Sequence, residues 1–429
     1  MRTHKNQLYA LLHQLLLASY GVIVVMIAIR LLPQQETGRW LVFVSAISLC
    51  DMMLHGLLQT VVIKRVADTK AYTTDFLSKI QSTSLAISLT IAAILSALFI
   101  AGTQLFSLKW QWLTDLSSWY PFLGLVMALY NINWWLNIGK QNFQAIFIQR
   151  LIYVVASLIY IGFSFFRYYE ISFLTIVFSQ LLGYGLAAVF ALWRNKVVVA
   201  LKYVDVRLSA QMISYGKYNI GTMVSSSLLR NADTFMIAGF LGSGAVAVYT
   251  LAQKFIEIFE VVLRSVAVTS LPLLVSVSGN VVRFTQVLLA RVTLVTVIFV
   301  PVVLLLFSFS APAIQLISAS SSYNDSALIL QILLVYVLLL PADRFLGIAL
   351  EAVSLPHFNL IKTLLLISVN VAGNLIVLSY FSSLMGTALV SILALITGII
   401  TGYYFLKKHY GFKVTGSPFA ELLLKLKFQ

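Results

Sequence analysis

Arg230, Asp233, Lys254, Glu257, Glu260 and Arg264 share one stretch, "RNADTFMIAGFLGSGAVAVYTLAQKFIEIFEVVLRSVAVTSLPLL", from Arg230 to Leu274. The residues around them are mostly apolar, and the stretch is long enough for two membrane crossings at about 20 residues each. In that setting cationic side chains can hold oxyanions, and carboxylates can hold a proton or a small cation. Facing lipid at the bilayer centre, each charge would cost roughly 2.5 to 3.5 kcal/mol, so these groups must face something else. At roughly 100° per residue, Gln253, Lys254, Glu257, Glu260 and Arg264 fit one arc of about 120°, a polar stripe about three turns long. Two explanations stand open. The stripe lines a wet cavity, or Lys254 with Glu257 and Glu260 with Arg264, spaced three and four residues apart, simply neutralise one another.

Other polar groups occupy similar apolar surroundings. Asp51 and His55 lie one helical turn apart; His55 either titrates near neutral pH or is a satisfied interior hydrogen bonder. Ser225 to Ser227 precede Arg230, and serines at a helix interface permit close packing. Asp343 and Arg344 follow Pro341, which either kinks a helix at a gate or leads the charges to the surface. Glu351 is expected at an interface, and Arg30 can snorkel to the headgroups. The single Cys50 excludes an intramolecular disulfide, and the five scattered His give no metal-site spacing.

The elements that position these residues follow from composition. Of the 429 residues, 60% are hydrophobic and 10% charged, and mean hydropathy is +0.94. Too few polar groups exist to cover a water-facing surface. Apolar runs of helical span length recur, whereas the short alternating pattern of a membrane β-barrel is absent. The expectation is an all-α polytopic membrane protein with twelve spans, at 8–30, 40–63, 80–106, 119–138, 145–166, 171–193, 212–240, 246–275, 287–309, 326–349, 358–380 and 384–406. Turn signals mark the joins, as in "LPQQETG", "FLGSG" and "SASSSYNDS". The first span follows Arg2 and Lys5 but is too long for a signal peptide and has no small-residue cleavage pattern, so it is expected to be retained.

Of 29 Lys and Arg residues, most fall on one side if the N-terminus is inside, with Arg150 and Lys362 among them; Arg30, Arg39, Lys109 and Arg167 remain outside. The positive-inside rule then puts both termini in the cytoplasm. Trp40, Trp110, Trp112 and Trp119 are placed at outer ends, and Trp134, Trp135 and Trp193 at inner ends, as interfacial anchors. The formal net charge of +15 is explained by this topology without a nucleic-acid partner.

Residues 194–211 hold the longest charged connection and divide the chain into a six-helix half at 1–193, a cytoplasmic linker, a second half at 212–406 and a cytoplasmic tail at 407–429. Laid over the first half, the second places Glu260 on Asp51 and Ala247-Val248-Tyr249 on Gly38-Arg39-Trp40. Six spans per half gives both the same orientation, as a parallel repeat requires, and repeated bundles around a midplane site are a common build for secondary transporters.

"RLLPQQETGRW" from Arg30 with "HGLLQTVVIKR" from His55, and "RNADTFMIAGFLGSGAVAVYTLAQKF" with Pro272 after it, resemble the best-marked segments of the Wzx-type polysaccharide-repeat (O-antigen) flippases. These belong to the multidrug/oligosaccharidyl-lipid/polysaccharide (MOP) superfamily, which also holds multidrug extruders and lipid II flippases. Span number, length and termini fit along nearly the whole chain. The resemblance implies a MATE/MOP-like fold and a carrier, not an enzyme, in the bacterial cytoplasmic (inner) membrane. Its cargo would be a polyprenyl-pyrophosphate-linked oligosaccharide, carried through a cavity that opens alternately to each side. Polysaccharide-assembly membrane proteins and membrane lipid are the implied partners.

Such a cargo needs a wet, hydrogen-bonding path. Arg264, Lys254 and Arg230 are the candidate pyrophosphate ligands, with Arg30 behind them. Glu260, Glu257, Asp233, Asp51 and His55 are candidates for coupling to H+ or Na+; no other cofactor is expected. Charges in the opening stretch balance, which departs from the strongly cationic lumen that an anionic cargo favours. A cation-coupled drug antiporter is the first alternative, although span one lacks the acid typical of that group. A glycan-processing membrane enzyme is the second, although no paired catalytic constellation or large outer loop is present.

Overall fold

The computed structural model describes residues 2–67, 74–105, 111–168, 170–195 and 200–412. Lys70, Lys109, Trp110, Lys196 and the expected tail beyond 412, with Lys413, Lys425 and Lys427, lie outside the described residues. Within them there is no strand. Two compact units form, Met1–Ala232 and Asp233–Gln429. The first contains α1 (Arg2–Leu31), α2 (Gln34–Leu54), α3 (Thr60–Ala67), α4 (Thr74–Leu105), α5 (Gln111–Gly139), α6 (Phe143–Tyr168) and α7 (Phe173–Asn195). Helix α8 (Val206–Leu241) runs across the boundary. The second unit continues with α9 (Ser243–Ser276), α10 (Val281–Ser308), the short α11 (Ser310–Ser318), α12 (Asp325–Ala352), α13 (Pro356–Ile376) and α14 (Leu384–Tyr410). Ten of these helical stretches are long and apolar enough to cross a membrane; α5 and α8 are comparably long but are not among the ten.

Local chemistry sets the breaks. Pro33 lacks a backbone N–H and stands just before α2, so the expected loop "LPQQETG" shrinks to a two-residue joint, with Gly38 and Arg39 already helical. Gly242 alone separates α8 from α9, at φ +84°, where a β-carbon would be strained. Asn280 and Ser383 cap α10 and α14 by accepting from Arg283 N and Gly386 N. Helix α8 begins earlier than the expected 212 because Asp205 caps it: its carboxylate accepts from Leu208 N at 3.0 Å and Arg207 N at 2.8 Å. Those N–H groups hold the Asp205 carboxyl below its ordinary pKa.

Each unit is built around one central helix. In the first, α5 packs on α2, α4 and α7; in the second, α12 packs on α9, α10 and α14. The pairs α6 with α7 and α13 with α14 repeat the same neighbour order. Lipid is as apolar as leucine, so van der Waals fit and internal polar contacts must hold these helices together. The fit is tightest where the π-helical turn His55–Gln59, between α2 and α3, meets α8. A β-carbon on Gly216 would lie 2.1 Å from Leu57 O, and one on Gly56 would lie 2.8 Å from Ile220 Cα. Only glycine lets the two backbones touch.

Burial also revises two expected anchors. Trp40 and Trp135 are enclosed by protein rather than placed at an interface, whereas Trp193 is exposed. Trp135 joins the apolar cluster of Leu54, Leu58, Val62 and Leu136, with the His55 ring edge-on to it at 5.2 Å.

Replacing Gly216 with alanine is expected to lower stability by about 1 to 3 kcal/mol through overpacking against backbone. Gly162, whose β-carbon would meet nothing within 4 Å, is the control, and its alanine variant should melt like the wild type. Thermal unfolding in detergent tests both. Equal melting of the two variants would remove close packing as the reason for Gly216.

Candidate functional site

The charged stripe lies on α9 between buried rows. Ile256, Phe259, Leu263 and Ala267 face the interior of the second unit, while Glu257 and Arg264 are exposed and Lys254 and Glu260 half-buried. Lys254 Nζ pairs with Glu257 at 2.6 Å, so that expected neutralisation does form. The second expected pair takes another shape: Arg264 Nε donates to the Glu260 backbone carbonyl at 3.3 Å. Arg30 is exposed at the end of α1. Arg230 lies on α8, and its side chain is outside the described residues.

Asp233, also on α8, anchors a buried polar cluster in the second unit. Its Oδ1 accepts from Asn374 Nδ2 at 2.9 Å, and its Oδ2 accepts from the Tyr249 hydroxyl at 3.3 Å and from Ser391 Oγ at 3.5 Å. Asn374 Nδ2 also reaches Asn370 Oδ1 at 3.3 Å. Asn374 Oδ1 is buried without a hydrogen-bond partner among the described residues. A carboxylate, two hydroxyls and two side-chain amides therefore converge, a polar set suited to a proton or, through its oxygens, to a hard monovalent cation. The sequence nominated Asp233 but not its partners, which come from α9, α13 and α14.

Asp51 belongs to a second cluster, in the first unit. Asn131 Nδ2 donates to Asp51 Oδ1 at 2.6 Å, and His55 Nδ1 donates to the Asp51 carbonyl at 2.9 Å while lying 3.4 Å from Oδ2. Trp134 and Trp135 flank the imidazole. His55 is thus an interior hydrogen bonder held one turn from its acid. Near it, on α6, Arg150 is buried with Tyr130 and Tyr153 against its guanidinium. Arg150 is therefore no loop cation, as its place near a span end suggested. A polar stripe on α6 carried the missed signal: Arg150, Tyr153, Ser157 and Ser164 recur at helical spacing and are all buried.

Lys362 needs the same correction. It is buried on α13, with Nζ 2.5 Å from Asp343 Oδ1 and 2.9 Å from the Asp343 carbonyl. Asp343, on α12 just after Pro341, is therefore committed to a neighbouring helix instead of approaching the surface. Arg39 and Asp115 form a bidentate pair between α2 and α5, with the guanidinium 4.4 Å above the Phe173 ring. Both pairs are structural clips.

These features define a helical, multi-pass membrane protein with polar clusters inside each unit. Comparison with solved structures places the fold. An inward-facing multidrug resistance MATE family transporter of the MOP superfamily superposes with TM-score 0.71 at 14% identity, over 91% of this chain and 95% of that one. The lipid II flippase MurJ, in an inward closed conformation, also gives 0.71, at 16% identity, over 94% and 87%. A MOP superfamily transporter from Pyrococcus furiosus, described by a reverse-polarity binding pocket, gives 0.56 at 16% identity, over 96% and 93%. Among curated proteins none matches. The fold is that of the MOP superfamily. The polysaccharide biosynthesis protein family model matches residues 3–278, and the chain belongs to that family, to which the Wzx-type flippases also belong.

Lys362→Met would leave the half-buried Asp343 carboxylate without its cation. The expected loss is about 2 to 3 kcal/mol, largely restored by adding Asp343→Leu. Melting temperatures of the single and double variants provide the check, and a single variant as stable as the wild type would mean the pair is dispensable.

Proposed function

We propose that the chain is a lipid-linked oligosaccharide flippase of the bacterial cytoplasmic membrane. It moves a polyprenyl-pyrophosphate-linked repeat unit of a polysaccharide such as O-antigen or capsule to the outer leaflet by alternating access. Twelve spans, with α5 and α8 completing the ten apolar ones, and cytoplasmic termini go with this reading. Family membership supports the substrate class. The observation that carries the chemistry is the row of Lys254, Glu257, Glu260 and Arg264 on an otherwise apolar helix, with Glu257 and Arg264 exposed and Lys254 and Glu260 half-buried. Charges within a membrane span require water rather than lipid, and a diphosphate with several sugars requires the same wet path.

Within this proposal Arg264 and Lys254, with Arg230 and Arg30, hold the pyrophosphate. The Asp233 cluster binds the coupling H+ or Na+, and Glu260 and Glu257 tune the path. The oxygen-rich surroundings of Asp233 favour it over the stripe acids for the ion. A cation-coupled drug antiporter remains the second reading, since a MATE transporter superposes as well as a lipid flippase does. Against it, α1 carries no Asp or Glu.

The test is leaflet-resolved transport of a labelled polyprenyl-pyrophosphate oligosaccharide in proteoliposomes, with and without proton or sodium gradients. Gradient-stimulated movement is expected, with the stimulation lost in Asp233→Asn. Movement of a cationic dye without the sugar lipid would transfer the assignment to the antiporter. Arg264→Ala should reduce transport about tenfold more than Arg30→Ala at equal expression, as loss of a charge-assisted ligand implies. Equal residual activities would refute the ligand role of Arg264.

A further inference from the structure

Arg150 takes no part in the second-unit chemistry above, yet among the described residues it is the most enclosed arginine of the first unit. Only 6% of it is exposed. Its guanidinium carbon lies 5.3 Å from the centre of the Tyr130 ring and 5.5 Å from that of Tyr153. Among the described residues no carboxylate forms an ion pair with it, and Nε has no hydrogen-bond partner. The acid whose charge reaches it, Asp51, already accepts from Asn131 and stands beside His55. A buried guanidinium with uncommitted donors is costly, and the two aromatic rings stabilise only its faces. Its in-plane edge is left for an acceptor.

That edge has a chemical preference. The planar fork of N–H donors matches the oxygens of phosphate or carboxylate bidentately, and a tetrahedral phosphate leaves further oxygens for hydroxyl donors. The Tyr130 hydroxyl is buried and likewise without a partner among the described residues. The Tyr20 hydroxyl, 2.7 Å from Ser157 Oγ, continues the polar lining from α1.

We propose that Arg150, with the Tyr130 hydroxyl, forms an oxyanion-binding site of phosphate class inside the first unit, with Asp51 as the counter-charge that competes with the ligand. The site is separate from the α9 stripe. Its assignment to cargo pyrophosphate rests on the flippase reading, but oxyanion binding itself does not.

Calorimetric titration of the purified protein in a phosphate-free maltoside detergent tests the site, with every protein compared also in an Arg264→Ala background that removes the contribution of the α9 stripe. Inorganic pyrophosphate is expected to bind, at least about tenfold more weakly to Arg150→Gln, and more tightly to Asp51→Asn, because the competing carboxylate is gone. A merely structural Arg150 would not produce opposite shifts in the two variants. If Arg150→Gln does not elute as a single species, Arg150→Lys and Tyr130→Phe take its place, and each should weaken binding severalfold. Parallel titrations separate the sources: tighter binding of geranyl pyrophosphate than of pyrophosphate assigns cargo, and displacement by a short-chain phosphatidylglycerol assigns a lipid headgroup. Absence of pyrophosphate binding, or equal binding by wild type and the Arg150 variants, overturns the proposal. Neither result touches the transport assay, so the site and the flippase reading can fail independently.

Discussion

Hydrocarbon offers no partner to a polar group, and that constraint organises the whole chain. Helix α13 shows it most directly. The side chains it buries fully include Lys362, Asn370 and Asn374, while Leu360, Leu364, Leu365 and Ile376 are exposed. A soluble helix would reverse that pattern. In lipid the apolar face has nothing to gain by turning inward, whereas each amide or ammonium facing outward would lose its hydrogen bonds. Polar contacts therefore fix the rotation of the helix, and the apolar residues fill in around them.

The same constraint explains what could be read from the sequence. Span length and composition follow from bilayer thickness, so the apolar runs at 145–166 and 384–406 sit inside α6 (Phe143–Tyr168) and α14 (Leu384–Tyr410). The arc of Lys254, Glu257, Glu260 and Arg264 depends on helical phase alone, and it survives as a half-exposed to exposed row on α9. Partnership does not depend on phase alone. Asn131 lies 80 positions from Asp51, and Asn374 lies 141 from Asp233, so neither contact has a local signature. Lys362 and Arg150 were misplaced for a related reason. A solitary cation near a span end satisfies the positive-inside pattern whether it enters the headgroups or turns into the bundle, and only the neighbouring helices decide which.

The two units share a neighbour order and differ in chemistry. Helices α5 and α12 occupy corresponding central places, and the flanking pairs match. Yet the interior of the first unit holds Arg150 among tyrosines, with Asp51 tied to Asn131, whereas that of the second holds Asp233 among amides and hydroxyls. The expected overlay of Asp51 with Glu260 also separates in character: Asp51 is engaged by Asn131 from another helix, and Glu260 stands half-buried in the charged row on α9. Packing order is set by helix lengths and short joints and is conserved between halves by geometry. Interior polarity is set by single side chains and can diverge without disturbing that order.

Both clusters adjoin a π-helical turn. His55 opens the turn at His55–Gln59, and Asn374 lies three residues before the turn at Val377–Phe381. A π turn carries one more residue than an α turn, which weakens the local ladder and shifts the phase of the side chains beyond it. In a bilayer that irregularity is tolerated only where protein or enclosed water satisfies the backbone, and here α8 closes against the first turn through Gly216 and Gly56. Asp51 and Asn374 therefore sit within a turn of the points where the helical hydrogen-bond ladder is already irregular, so polar contacts and backbone irregularity coincide in both units.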